Sequence, residues 1–220
     1  MAVWLVVWGR NPHDLRDKKV VEELKERIKK VELNFDFLAY FSLVNPIHNQ
    51  GFDENTEFVQ GINEYYKRKQ SKFLNKESQI KKYNPDNWEI DENEGHRISF
   101  KYYFDDLNTI NDKSIADSFK LFLRSNICCF IGDFDTFSKW FELCANSHEK
   151  LREGWQELIR TLFRLFDVKQ AIYFSEWGFG DEDCESFDEL LQWIEERPEK
   201  IIHKLEDLYK GDEFYIENLS

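Results

Sequence analysis

Three apolar runs in this chain are too short to be helices and too apolar to face water. They are residues 2–8, Ile127-Cys128-Cys129-Phe130-Ile131, and 171–174. Runs of roughly four to eight β-branched and aromatic residues, bounded by turn residues, read as strands buried on both faces. A strand with two apolar faces needs cover above and below it, so such a chain has to build a sheet flanked by other elements. A chain of 220 residues buries roughly 70% of its unfolded surface, enough for a core without staples. Aromatic residues at 16% of the composition supply the volume to fill it.

The remaining segments follow from period and punctuation. Residues 17–31 place Val20, Val21, Leu24, Ile28 and Val31 on one helical stripe. In residues 35–44, Phe35, Phe37, Ala39, Phe41 and Leu43 alternate, which predicts a strand and, with the first strand and helix, a βαβ-like order. A helix is expected over 54–70, with Phe58, Ile62, Tyr65 and Tyr66 on one face. Residues 75–95 are polar and hold Asn84-Pro85 and Gly95, so they read as a long, mobile excursion. Residues 97–104 alternate, with Ile98, Phe100, Tyr102 and Phe104 pointing one way. Helices are expected near 112–124, 134–145, 148–166 and 198–209, and an edge strand at 213–217. Ser186 and Glu189 have capping-box spacing ahead of Leu190, Leu191 and Ile194. The fold class is therefore α/β or α+β: a single domain, 1–220, with one mixed central sheet of five or six strands flanked by six or seven helices.

Charge narrows the partners. The chain carries 43 acids against 30 bases, a formal net charge of −13. Nucleic acid is bound chiefly through Lys and Arg, so a nucleic acid partner is disfavoured, and a basic protein suits the chain better. The excess is concentrated: residues 171–220 hold 15 acids and 4 bases. No apolar run approaches the roughly 20 residues of a membrane span. The start, Met1 to Gly9, lacks a basic n-region and reads as a strand rather than a signal peptide. The four cysteines, Cys128, Cys129, Cys144 and Cys184, form no C-x-x-C and no zinc spacing, which suits a reducing cytoplasm.

Two groups of side chains could carry function. The first is the acidic part at 176–220, above all Glu176, Trp177, Phe179, Asp181, Glu182, Asp183, Glu185, Asp188 and Glu189, with no Lys or Arg among residues 176–189. A like-charged segment repels itself and gains from meeting cations, and interleaved aromatics anchor interfaces. The plain alternative is a helix N-terminus, which acids also stabilise. The second group is Asp133, Asp135 and Glu176, each just after a strand. If those strands were parallel neighbours, the carboxylates could hold Mg²⁺, although Asp133 or Asp135 serves equally well as an N-cap. His13 and His48 follow strands or turns without metal spacing, and Cys184 between Asp183 and Glu185 is a blunted nucleophile. There is no G-x-S-x-G, no G-x-G-x-x-G and no P-loop.

These features favour a small acidic cytoplasmic protein that binds other proteins, an inhibitor or immunity protein acting on a basic toxin or enzyme, with no cofactor and no catalytic residue. The alternative is a Mg²⁺-dependent phosphoesterase or nuclease-like enzyme. A nucleic-acid mimic would line its acids along a surface rather than bunch them, and an oligomeric structural protein would account for the excess of Phe and Trp.

Overall fold

The computed structural model describes residues 5–43, 57, 59–61, 63, 64, 67, 80–83, 87–91, 95–104, 115–132, 142, 143, 147–175, 184–208 and 212–219. Its frame is one sheet. The strands are β1 (Leu5–Gly9), β2 (Ile80–Tyr83), β3 (Asn87–Asp91), β4 (Gly95–Phe104), β5 (Ile115–Arg124), β6 (Ile127–Gly132), β7 (Gln170–Ser175), β8 (Ile201–Ile202) and β9 (Phe214–Asn218). Eight of them lie in the order β2-β4-β5-β6-β1-β7-β9-β8, and β3 shares the outer edge of β4 with β2. Every pairing is antiparallel except β8 with β9. The helices are α1 (Lys18–Lys30), α2 (Glu149–Leu165) and α3 (Phe187–Glu195), with 3-10 turns at Asp36–Leu43, Pro198–Lys200 and Leu205–Asp207. No helix among the described residues is long and apolar enough to cross a membrane.

The strand alternation divides the interior into two cores. Leu5 and Val7 of β1, Cys128 and Phe130 of β6, and Ala171 and Tyr173 of β7 face α1, α2 and the 36–43 turn. Their sequence neighbours Val6, Trp8, Ile127, Cys129, Ile172 and Phe174 face α3 instead. Each helix presents the stripe its period requires. Val21, Leu24 and Ile28 are buried on α1, Leu151, Trp155, Leu158, Ile159, Leu162 and Phe163 on α2, and Phe187, Leu190 and Ile194 on α3. The starts are capped: Asp17 accepts from Lys19 N, His148 from Lys150 N and Ser186 from Glu189 N.

Several expectations need correction. The sheet has more strands than five or six, and only three α-helices of nine residues or more appear among the described residues. Residues 36–43 form a 3-10 turn, not a strand, because their buried members are Phe35, Leu38 and Phe41, spaced by three. The alternation of Phe37, Ala39 and Leu43 is incidental. No βαβ unit forms; β1 is flanked by β6 and β7, both antiparallel to it.

Residues 115–124 are strand, not helix. Phe119, Leu121 and Leu123 are buried on one face, and β5 pairs on both sides, with β4 and β6. The hairpin β5–β6 turns through Ser125-Asn126, with Asn126 at φ 69°. Asparagine tolerates that left-handed conformation better than most residues. The polar stretch 75–95 contributes β2 and β3. The helix read over 198–209 is two 3-10 turns around β8, whose β-branched Ile201 and Ile202 pair with Phe214 and Tyr215. That pairing also moves β9 inward from the edge. The described residues of 57–67, and Glu142 and Leu143, are helical as read. Phe58, Ile62, Tyr65, Tyr66 and residues 134–141 lie outside the described residues.

One polar network crosses the larger core. Glu217 of β9 is 7% exposed. Its Oε1 accepts from Arg160 Nε at 2.6 Å and Gln156 Nε2 at 3.1 Å, and its Oε2 from the Tyr173 hydroxyl at 2.8 Å. Burial, then the neighbouring Glu217 charge, holds the Tyr173 hydroxyl well above the usual tyrosine range, so it stays a donor. The last strand is thereby tied to α2. Glu142 is buried likewise and accepts from the Trp155 indole N–H.

Two outcomes follow. Glu217→Ala removes the acceptor shared by Arg160, Gln156 and the buried Tyr173 hydroxyl, leaving Arg160 with Glu157, and should cost about 3 kcal/mol in urea unfolding, against about 1 kcal/mol for Tyr173→Phe. At Gly154 an added Cβ would lie 2.0 Å from Phe37 Cγ. Gly154→Ala would gain about 1 kcal/mol of helix propensity but lose about 1–3 kcal/mol to overpacking. A net loss is expected in the wild type and a net gain in a Phe37→Gly background, which removes the Phe37 Cβ that would lie 2.3 Å away as well as the ring, a sign reversal readable by a double-mutant cycle.

Candidate partner interface

The acidic region is organised by α3. Its apolar stripe, Phe187, Leu190 and Ile194, packs on Val6, Trp8, Ile172, Phe174 and Phe214, which fixes the opposite face outward. Ser186 Oγ accepts from Glu189 N at 3.3 Å, and Glu189 Oε2 accepts from Glu185 N at 2.8 Å. The pair is a capping box displaced by one residue, so Glu189 acts in the fold as well as on the surface. Asp188 pairs with Arg10, whose guanidinium also lies 5.6 Å from the Phe187 ring centre. The expected alternative, acids serving a helix start, is therefore realised in part.

Glu185, Asp188, Glu189, Gln192, Glu195, Glu196 and Glu199 are all exposed, and only part of this face has such employment. Glu196 accepts from Gln192 at 3.3 Å and lies 3.8 Å from Arg197. The nearby cations are otherwise held by contacts of the fold. Arg197 stacks 4.0 Å over the Trp193 ring and donates to the Trp193 carbonyl at 2.9 Å. Lys200 meets Asp212. Among the described residues no cation meets Glu185, Glu195 or Glu199. Trp193 packs edge-on against Phe214 at 5.5 Å, half-buried beside this acidic face.

Of the residues singled out from the sequence, Glu185, Asp188 and Glu189 come together here. Glu176, Trp177, Phe179, Asp181, Glu182 and Asp183 lie outside the described residues. Sequence reasoning missed Glu195, Glu196, Glu199 and Trp193. The signal was present: Glu189, Trp193 and Arg197 are spaced by four, and Glu189 and Glu196 by seven, which puts them on one side of a helix.

The carboxylates of the metal reading, Asp133, Asp135 and Glu176, also lie outside the described residues. The strands that lead to them are described. β6 and β7 run the same way, so Gly132 and Ser175 end at the same side of the sheet, but β1 lies between them. They are next-but-one strands, about 9–10 Å apart, not the parallel neighbours on which the metal reading is conditional. Among the described residues no group of three His, Cys, Asp or Glu side chains could hold a metal ion. Cys128 is buried, and burial, then Cys129, pushes its thiol up, away from nucleophile chemistry. Cys129 and Cys184 are buried as well.

His13 joins a different cluster. Its Nε2 lies 3.2 Å from Asp167 Oδ2, and Arg27 Nη1 donates to Asp167 Oδ2 at 2.7 Å and to the Leu165 carbonyl at 2.9 Å. The Arg27 bond holds the Asp167 carboxyl below its usual range. The group closes the C-terminal end of α2, where a cation suits the exposed carbonyls.

The division of labour on α3 is measurable. Ser186→Ala should cost about 1 kcal/mol through the lost cap. Glu195→Gln and Glu199→Gln should stay within about 0.5 kcal/mol of wild type in the same urea titration. No protein-family model, no curated protein and no solved structure matches the chain, so the reading of this surface rests on its own geometry.

Proposed function

We propose that the chain is a protein-binding protein of the inhibitor or immunity type, which takes up a basic partner protein on the outward face of α3. The observation that carries this reading is the mismatch of charge on that face. Glu185, Glu195 and Glu199 are exposed and meet no cation among the described residues, while Arg197 and Lys200 are occupied within the fold. A field of one sign speeds the encounter with a partner of the other sign and makes it salt-dependent. Trp193 supplies a rigid aromatic edge of the kind that anchors interfaces. Glu176, Asp181, Glu182 and Asp183, next in sequence, add to the chain's negative charge. Three buried free thiols, Cys128, Cys129 and Cys184, support a reducing cytoplasm as the setting.

The test compares the wild type with a variant carrying Glu185→Gln, Glu195→Gln, Glu196→Gln and Glu199→Gln. Both are immobilised, exposed to native lysate at low salt and washed at rising salt. A stoichiometric basic protein should be held by the wild type, be released by salt, and bind the variant at least about tenfold more weakly. Equal capture by both chains, or no basic protein on either, defeats the proposal.

A further inference from the structure

β3 is an edge strand whose described pairing is with β4 alone. Its inward side chain Trp88 is half-buried against the larger core, and the next inward position, Ile90, is 65% exposed. One side-chain hydrogen bond holds Trp88 in place. Its indole Nε1–H donates to His96 Nδ1 at 3.0 Å, across the strand pair. The two rings meet edge-on with centres 5.8 Å apart. This geometry demands an imidazole whose Nδ1 carries no proton, since an indole nitrogen only donates.

The surroundings oppose protonation of that nitrogen. His96 is 9% exposed. From α1, Lys25 Nζ lies 5.8 Å from the Trp88 ring centre and is itself held by Glu22 at 2.9 Å. From β5, the residue paired with His96 is Leu123, which carries no charge. From β3 and β4, the Glu89–Arg97 ion pair occupies the alternate positions and faces the other side of the sheet. A proton on His96 therefore enters a site with a lysine nearby and, among the described side chains of the paired strands, no carboxylate turned toward it.

We propose that the Trp88–His96 hydrogen bond is a pH-sensitive clasp, which holds β3 on the sheet at neutral pH and releases it when His96 is protonated. Protonation turns Nδ1 into a second donor facing the indole N–H, so the bond is lost and the two hydrogens oppose each other. Release of β3 frees the outer edge of β4 from Gly95 to Ser99, a row of backbone donors and acceptors open to another strand.

The direction follows from the environment. Burial first, then Lys25, lowers the His96 pKa from its usual value of 6.5. Once β3 is open the imidazole returns toward that value, so the clasp is at full strength above pH 6.5 and weakens as the pH falls below it.

Hydrogen exchange on the intact chain tests the clasp, with rates corrected for the intrinsic pH effect and 127–132 as the internal reference. Between pH 7.5 and 5.5 the protection of 87–91 should fall severalfold relative to 127–132. In His96→Gln, whose amide oxygen accepts the indole N–H without titrating, that protection should not change with pH. Unchanged protection in the wild type, or the same loss in His96→Gln, overturns the proposal. Should the variant fail to fold, the wild type alone decides by NMR. The Trp88 indole N–H resonance should move with the His96 imidazole at one shared midpoint below 6.5, and an indole signal that ignores the imidazole overturns the clasp.

Discussion

The register of β1 between β6 and β7 is the constraint on which the rest depends. Val7 lies opposite Phe130 on one side and Tyr173 on the other, while Val6 lies opposite Ile131 and Phe174. All five residues of β1 are buried. The two cores therefore meet at this strand and are assigned by it. A slip of one residue would send Val7 toward α3 and Trp8 toward α2, exchanging the contents of both cores at once. Gly9 closes the strand beneath Val168, at a point where an added Cβ would lie 2.3 Å from Val168 Cγ1. The α2–β7 connection can cross there because nothing projects from the strand.

The elements that could be read from sequence are those where one physical signal acted alone. The runs 127–131 and 171–174, and the alternation of 97–104, admit only strands, and α1 and α2 carry long, clean stripes. The misread segments carried two periods. In Ile115 to Arg124, Phe119 and Phe122 fit a helix while Phe119, Leu121 and Leu123 fit a strand. Pairing with β4 and β6 decided between them. In Phe35 to Leu43, an alternation concealed a spacing of three, Phe35, Leu38 and Phe41, which burial in the larger core selects. In 198–209, Pro198 does begin a helical turn, but Ile201 and Ile202 leave it for β9.

The candidate interface was legible in a different way. Composition located the charge but could not say which acids were employed by the fold. Asp188 is paired with Arg10 and Glu189 closes the cap, whereas Glu195 and Glu199, which drew no attention in sequence, stand outward and unmet among the described residues. Three-dimensional neighbours make that distinction. Arg10 lies far from Asp188 in the chain, and Lys200 is drawn away by Asp212.

The two ends of the charge distribution show what such a surface implies. Where this chain buries a carboxylate, it provides for it: Glu217 accepts three different side-chain donors, and Glu142 takes the Trp155 indole N–H. On α3 the opposite holds. Glu185, Glu195 and Glu199 are exposed and no described cation meets them, whereas Asp188 meets Arg10, Glu196 meets Arg197 and Glu189 closes the cap. A lysine at position 195 or 199 would offset the like charge locally and leave the apolar stripe untouched. A basic partner offsets it only on binding, so the acids left without a cation, rather than the acidic face as a whole, are the ones that the proposed activity needs.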